Sequence, residues 1–101
     1  EDMPTAFVCN NDEIACILIE KLEKMGYRVP EDISVTGFDN YPFIRRNASG
    51  LTTVDVDIAM MASEGVELLL ERLNEKRETF VRRVVSGHIV IRESTGKVAE
   101  P

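Results

Sequence analysis

The stretch Ile33-Ser34-Val35-Thr36-Gly37-Phe38-Asp39-Asn40 decides the fold of this chain. Its apolar residues follow Pro30 closely and predict a short strand that is covered on both faces. Gly37 ends the strand, and the residues after it bring a carboxylate, Asp39, and an amide, Asn40, to its C-terminal end. Ligands bind at this end of the strands in open parallel sheets. The stretch therefore predicts a ligand-binding edge.

A β-α-β unit is predicted when the preceding residues are included. The run from Pro4 to Cys9 is apolar and predicts the first strand, which ends at Asn10-Asn11-Asp12. Asp12 or Asn11 is then the predicted N-cap of a helix. The apolar stripe of this helix follows helical spacing over Ile14, Ala15, Leu18, Ile19, Leu22 and Met25, and Gly26 predicts the end of the helix. Strands joined by one helical crossover run parallel, so we expect the polar tips at Asn10–Asp12 and Phe38–Asn40 to share one edge of the sheet.

The rest of the chain adds one helix and three short strands. In chain order, the pattern predicts a loop over Tyr41–Gly50, a strand over Leu51–Val54, a helix capped by Asp55 or Asp57, a strand over Phe80–Val85, a strand over Ile89–Arg92 and a flexible tail over residues 97–101. The apolar stripe of the helix runs from Ile58 to Leu73. Only one helix belongs to the first β-α-β unit. The other face of its sheet must be covered by the second helix or by another chain. This need indicates that the sequence is part of a larger protein or assembly.

Length and charge restrict the classes of function. The 101 residues allow one small domain, 44% of them are hydrophobic and 30% charged, and the net charge is −6. An acidic chain without a basic face is not expected to bind nucleic acid by itself. The apolar runs are too short to cross a membrane, and the first residues do not have the charged and then apolar pattern of a signal peptide. Cys9 and Cys16 lack disulfide or metal spacing, which indicates structural thiols in a reducing cytosol.

Four segments resemble the LacI/GalR family of bacterial transcription regulators, in register from Pro4 to Gly96. They are Pro4-Thr5-Ala6-Phe7-Val8-Cys9-Asn10-Asn11-Asp12-Glu13-Ile14-Ala15, residues 26–40, Leu51-Thr52-Thr53-Val54 and Ile89-Val90-Ile91-Arg92-Glu93-Ser94-Thr95-Gly96. The run Val-Pro-Glu-Asp-Ile-Ser-Val-Thr-Gly-Phe-Asp-Asn is the most specific, because it is typical of the regulators rather than of their periplasmic relatives. The resemblance implies an α/β fold: a periplasmic-binding-protein-like (Rossmann-like) parallel sheet with flanking helices, forming a fragment of a two-lobed domain.

The resemblance also implies what residues 1–96 contain and lack. They match the C-terminal portion of the family's effector-sensing domain, and the N-terminal helix-turn-helix DNA-binding domain has no counterpart in them. In the family a small effector binds between two lobes, shifts them and changes operator affinity in a homodimer. The chain is expected to cross between the lobes near Val54–Asp57 and again near Ile89–Arg92.

The family's effector contacts from this region fall on Asn11 and Asp39, with Phe38 as a supporting aromatic. A carboxylate accepts two or more hydrogen bonds at fixed angles and discriminates among polyols, and an amide both donates and accepts. The alternative roles are a strand-end turn for Asp39 and a helix N-cap for Asn11. Val56 is apolar where some sugar-responsive members have a polar residue that faces the ligand.

The family's dimer contacts come from the outer face of the first helix and from the loop after Asp39. The resemblance therefore implies four dimer-interface candidates, Cys16, Glu20, Ile44 and Asn47.

No motif in the sequence indicates catalysis. There is no G-x-S-x-G, P-loop or zinc spacing, and no acid–base pair, so neither an enzyme nor a cofactor is expected. Asp12, Asp39, Asp55 and Asp57 could suggest Mg²⁺, but capping explains at least one of them and no metal site is expected. His88 is the single histidine and is expected in a surface turn.

The leading hypothesis is the effector-sensing part of a cytoplasmic LacI/GalR-type regulator. It would bind a sugar-like small molecule and reach operator DNA only through the missing N-terminal domain, and no membrane partner is expected. The first alternative is a periplasmic sugar-binding protein of an ABC transporter, whose upstream sequence would carry a signal peptide. The second is an interaction module that pairs with itself to complete its sheet.

Overall fold

A computed structural model of the protein describes residues 2–42, 50–75 and 79–100. Four strands and two helices lie in those ranges: β1 (Ala6–Val8), α1 (Asp12–Lys24), β2 (Ser34–Thr36), β3 (Thr53–Asp55), α2 (Ile58–Asn74) and β4 (His88–Val90). The chain divides into two compact units. Glu1–Asp55 and His88–Pro101 form the first, and Val56–Gly87 form the second. The first boundary falls inside the predicted crossing near Val54–Asp57, and the second falls just before the predicted crossing near Ile89–Arg92.

The strands of the first unit follow the predicted parallel arrangement. β1 and β2 pair in parallel, with Ala6 opposite Ser34 and Val8 opposite Thr36. Two parallel bridges, Thr36 with Thr52 and Asp39 with Asp55, place β3 beside β2. β3 then pairs antiparallel with β4. The α/β fold with a parallel sheet is therefore confirmed, with an antiparallel last strand.

Helix α1 begins and ends where its local sequence predicts. The side chain of Asn11 accepts a hydrogen bond from the Ile14 N–H at 2.8 Å, so Asn11, not Asp12, is the N-cap. At the other end Gly26 takes a φ of 91°, a left-handed conformation that favours glycine. Its N–H donates to Glu23, and the Tyr27 N–H donates to Leu22. These two hydrogen bonds satisfy carbonyls at the helix end and stop the helix.

The core of the first unit lies between α1 and the sheet. Its fully buried apolar residues are Ala15, Leu22, Ile33, Val35 and Leu51. Leu18 and Ile19 pack against them, as their helical spacing predicts. Ile14 and Met25, also assigned to the apolar stripe, are exposed at its two ends. β2 is thus covered by α1, which fixes the strand whose C-terminal end carries Phe38–Asn40.

The second unit differs from the sequence prediction in two ways. Helix α2 begins at the predicted cap, where Asp57 accepts a hydrogen bond from the Met60 N–H at 2.9 Å, but none of its residues is buried in the described chain. The predicted strand over Phe80–Val85 is wrong, because residues 79–87 contain no strand. A strand needs a neighbour for its backbone, and this segment is instead fixed by side chains: Arg83 pairs with α2 carboxylates. Neither described helix has the length and apolar character to cross a membrane.

Candidate functional site

The ends of β1 and β2 lie together at one edge of the sheet. The Cys9 N–H donates to the Thr36 carbonyl at 2.9 Å, which continues the ladder beyond β1. The Asp12 N–H then donates to the Phe38 carbonyl at 3.1 Å. This second hydrogen bond joins the start of α1 directly to the residues after β2. The polar tips Asn10–Asp12 and Phe38–Asn40 therefore share one edge, as the topology predicted.

Asp39 occupies this edge in an unusual backbone conformation. Its φ is 101°, a region that non-glycine residues rarely adopt, and its N–H donates to the Val54 carbonyl at 3.0 Å. The side chain is half-buried. Among the described residues its carboxylate has no hydrogen-bond partner, while its backbone is fixed to β3. A fixed carboxylate with open acceptor sites is suited to bind hydroxyl or N–H donors of a ligand.

Asn11 caps helix α1 with its amide oxygen, and this role leaves its amide nitrogen available to a ligand. Its Oδ1 caps α1 by accepting from the Ile14 N–H. Its Nδ2 has no partner in the part of the chain that the structure describes, so two N–H donors stay available. The capping role and a ligand contact through Nδ2 are therefore compatible in one side chain.

Phe38 adds an apolar surface to the polar edge. Its side chain is 43% exposed, although it follows directly on a buried strand. Its carbonyl accepts from the Asp12 N–H, which holds the residue next to the tip of β1. An exposed ring beside a carboxylate and an amide offers a flat contact for the apolar face of a ligand. The structure thus brings Asn11, Phe38 and Asp39 to one edge, and effector binding by them stays a prediction.

Asp12 stabilises this edge through the hydrogen bonds of its buried carboxylate. It is 4% exposed, and its carboxylate accepts from the Thr53 hydroxyl at 2.5 Å and from the Tyr41 N–H at 2.9 Å. These hydrogen bonds tie the start of α1 to β3 and to the loop after Asn40. The sequence suggests only a cap or a metal ligand for Asp12, and this role could not be predicted because Thr53 and Tyr41 lie far along the chain.

Asn40 is the centre of a second polar group that the sequence did not reveal. The residue is 7% exposed and has a φ of 52°. Its Nδ2 donates to Asp55 Oδ1 at 2.7 Å, and its Oδ1 accepts from the Arg92 guanidinium at 3.0 Å. Arg92 also donates to the Leu51 carbonyl at 2.8 Å. Arg92, which follows the apolar residues of the last strand, was the one signal in the sequence for this polar group, since a half-buried cation needs hydrogen-bond partners.

Comparison with known proteins places the chain in a family. The profile of the periplasmic binding protein-like domain matches residues 1–95. The chain belongs to this family. The HTH-type transcriptional repressor PurR of Aliivibrio salmonicida is 39% identical over 100 residues, which are 97% of this chain and 29% of that protein. The arabinose metabolism transcriptional repressor of Geobacillus stearothermophilus is 32% identical over 99 residues, which are 97% of this chain and 27% of that protein.

A solved structure shows the same relationship. The complex of the transcriptional regulator CelR with cellobiose has a TM-score of 0.78 and 29% identity, and it covers 89% of this chain and 28% of that chain. The resemblance to LacI/GalR regulators and the periplasmic-binding-protein-like fold are therefore confirmed. The chain spans less than a third of the length of these relatives.

Two of the four dimer-interface candidates lie on α1 of this periplasmic-binding-protein-like unit. Cys16 is half-buried and packs against the core. Burial raises the pKa of the Cys16 thiol, and the nearby charge of Asp12 raises it further. Glu20 is exposed and pairs with Lys24 one turn later, and this hydrogen bond lowers the pKa of Glu20. Ile44 and Asn47 lie outside the described residues. The dimer interface stays a prediction.

His88 is exposed, as expected, but it does not lie in a turn. It is the first residue of β4, directly opposite Asp55, and its Nε2 lies 3.8 Å from Asp55 Oδ2. Antiparallel pairing with β3 therefore extends further toward Gly87 than the sequence predicted. Within residues 2–42, 50–75 and 79–100, no three side chains of His, Cys, Asp or Glu converge as metal ligands would.

Proposed function

We propose that this chain is the effector-sensing part of a bacterial LacI/GalR-type transcription regulator. It binds a sugar or a related polyol through Asn11, Phe38 and Asp39, and this binding controls the affinity of the whole protein for its operator. The observation that carries the proposal is the Asp39 carboxylate, which is fixed at the sheet edge and has no partner among the described residues.

The chemistry of the edge fits a polyol. Neighbouring hydroxyl groups of a sugar can donate to both oxygens of Asp39, and a third hydroxyl can accept from the Asn11 amide. The exposed ring of Phe38 suits the apolar face of a pyranose. Two relatives support this class of ligand by their names, since one is a repressor of arabinose metabolism and another was solved with cellobiose.

Regulation requires parts beyond the residues described. A chain of net charge −6 is poorly suited to bind operator DNA by itself, and we assign the operator contact to an N-terminal helix-turn-helix domain. The protein works as a cytoplasmic homodimer without enzymatic activity, and the effector shifts an equilibrium between operator-binding and non-binding dimers. The relatives from Aliivibrio salmonicida and Geobacillus stearothermophilus are transcriptional repressors, which supports a regulator over a periplasmic transport protein or a self-pairing module.

The test compares Asp39→Asn with a control carboxylate in the full-length protein. Asparagine tolerates a positive φ, whereas alanine would add backbone strain. The change therefore keeps the backbone and removes the charge together with one of the two acceptor oxygens. Asp57→Asn is the matched control, because it removes one carboxylate from the cap of α2. Isothermal titration with arabinose, cellobiose and other saccharides measures affinity. We expect Asp39→Asn to weaken sugar binding about 10- to 100-fold, the loss of hydrogen bonds to a charged acceptor, and Asp57→Asn to leave it unchanged.

Asn11→Asp provides a second arm, since aspartate is an equally good N-cap but lacks the amide donors. It should keep the thermal midpoint of the protein and lower sugar affinity. Operator binding, measured by fluorescence anisotropy, should respond to sugar in the wild-type protein and lose that response in Asp39→Asn. Wild-type sugar affinity in Asp39→Asn would remove this edge from the binding site. A full-length product that binds sugar but has no operator affinity would instead support the transport protein.

A further inference from the structure

The turn that carries Asp39 adopts a backbone that ordinary residues avoid. Asp39 and Asn40 are consecutive non-glycine residues with φ of 101° and 52°. Left-handed conformations are unfavourable for residues with a Cβ, and asparagine is among those that tolerate them best. Such a turn persists only where surrounding contacts hold it. The contacts made by the Asn40 side chain are therefore candidates for the group that fixes the Asp39 carboxylate.

Asn40 connects this turn to two other segments. Its amide nitrogen donates to Asp55 Oδ1 at 2.7 Å, and its amide oxygen accepts from Arg92 at 3.0 Å. Asp55 is the last residue of β3, and the chain enters the second unit directly after it. The chain returns to the first unit at β4, and Arg92 follows that strand by two residues. Both halves of one amide are used, and the side chain is almost fully buried. The turn is thus attached to the outgoing and the returning segments of the chain.

We infer that Asn40 is the positioning residue of the effector site. It holds Asp39 in its positive-φ conformation and ties the position of that carboxylate to β3 and to Arg92. The inference rests on the proposed function, since it assigns to Asn40 the placement of the group that binds sugar. A ligand that pulls on Asp39 also acts, through Asn40, on the strand along which the chain leaves the first unit.

The amide and its carboxylate partner can be exchanged to test this. Asn40→Asp keeps an acceptor for Arg92 and tolerates the φ, but it places a second carboxylate against Asp55 and removes the donor. Asp55→Asn keeps an acceptor for the Asn40 amide and is the matched control. The double variant Asn40→Asp/Asp55→Asn restores an amide–carboxylate hydrogen bond with the donor on the other side, at the wild-type net charge.

Ser94→Ala controls for loss of stability alone. The Ser94 hydroxyl is buried, donates to the Val35 carbonyl at 2.6 Å and accepts from the Thr52 N–H at 2.8 Å, and it has no hydrogen bond to Asp39 or Asn40. Its removal should lower the thermal midpoint of the full-length protein without changing sugar affinity. A residue that only stabilised the fold would behave in the same way.

Two readouts are combined on the full-length protein. Amide hydrogen exchange of the Asp39 N–H, which donates to Val54 at 3.0 Å, reports the turn without any ligand. Titration with the saccharide that binds the wild-type protein reports the site. We expect Asn40→Asp to speed exchange and weaken affinity about tenfold each, Asp55→Asn to change little, and the double variant to recover both.

The outcomes separate this inference from the proposed function. Unchanged Asp39 exchange in Asn40→Asp overturns the positioning role, and so does faster exchange with wild-type sugar affinity. Failure of the double variant to recover affinity overturns it as well. If the wild-type protein binds no saccharide, the proposed function fails, whereas the exchange measurement still decides whether Asn40 holds the turn.

Discussion

Gly37→Ala tests whether the buried contact between the end of β2 and the start of α1 holds the site together. A Cβ added at Gly37 would lie 2.3 Å from Asp12 Oδ1 and 3.0 Å from both Asp12 Cα and Leu51 Cδ2. Nonbonded carbon and oxygen atoms do not approach to 2.3 Å, so Asp12 would have to move. The Asp12 carboxylate is held by Thr53 and Tyr41, and its backbone N–H is held by Phe38.

The expected loss in the free energy of unfolding follows from the displacement of Asp12. Overpacking of a well-packed site costs about 1–3 kcal/mol, and releasing the buried Asp12 carboxylate from its donors costs about as much. The smaller entropy of the unfolded alanine chain offsets about 0.4–1 kcal/mol. We therefore expect Gly37→Ala to lower the free energy of unfolding by about 3 kcal/mol. Gly65→Ala is the matched control, because Gly65 lies inside α2 and a Cβ added there would meet no atom of another segment within 4 Å. This variant should raise the free energy of unfolding by about 0.5–1 kcal/mol.

Urea unfolding followed by far-UV circular dichroism measures both changes. A double-mutant cycle adds the mechanism: if the clash with Asp12 causes the loss, Gly37→Ala should cost much less in an Asp12→Ala background than in the wild-type protein. A Gly37→Ala variant within about 0.5 kcal/mol of wild type would show that the end of β2 is not packed closely against Asp12, because only surface positions tolerate substitution so well. Equal costs in the two backgrounds would assign the loss to a contact other than Asp12.

Further predictions concern the supports of the site. Asn11→Ala should lower the free energy of unfolding by about 1 kcal/mol in the same urea assay, whereas Asn11→Ser, which keeps a cap, should change it little. Thr53→Val should cost about 1–3 kcal/mol, because it removes a hydroxyl that donates to a buried carboxylate. Hydrogen bonds from the Arg28 side chain and N–H lower the pKa of Asp32 to about 2, so the stability from this pair is complete above about pH 4 and is lost as the pH falls through about 2. An acid titration of unfolding in wild type and Asp32→Asn checks this, since the variant should lack that part of the loss.

The first β-α-β unit could be predicted because its signals are local. The N-cap at Asn11, the helical spacing after it and the stop at Gly26 each depend on neighbours within one helical turn. The strand that ends at Gly37 is predicted by the alternating apolar residues Ile33 and Val35. Parallel pairing then follows from the crossover, so the sequence alone placed Asn11 and Asp39 on one edge of the sheet.

The parts that could not be predicted depend on partners far along the chain. The sequence offers no rule that joins Asn40 to Arg92, which is 52 positions away, or Asp12 to Thr53, which is 41 positions away. The predicted strand over Phe80–Val85 failed for the opposite reason. Its composition favours a strand, but a strand forms only where another backbone offers a ladder, and Arg83 is held by side chains of α2 instead.

The polar groups at the sheet edge fall into two sets, those with satisfied hydrogen bonds and those that we propose to bind the effector. Asp12, Asn40 and Thr53 are buried, and each has hydrogen-bond partners that fix it, as buried polar groups require. Asn11 and Asp39 are less buried, and each retains unused hydrogen-bonding capacity among the described residues after its backbone or capping role is met. Fixed position with open capacity is what a polyol site needs, because the ordering of the polar groups is completed before the ligand arrives. The inference that Asn11 and Asp39 bind the effector therefore rests on the same hydrogen bonds that assign Asp12 and Asn40 to supporting them.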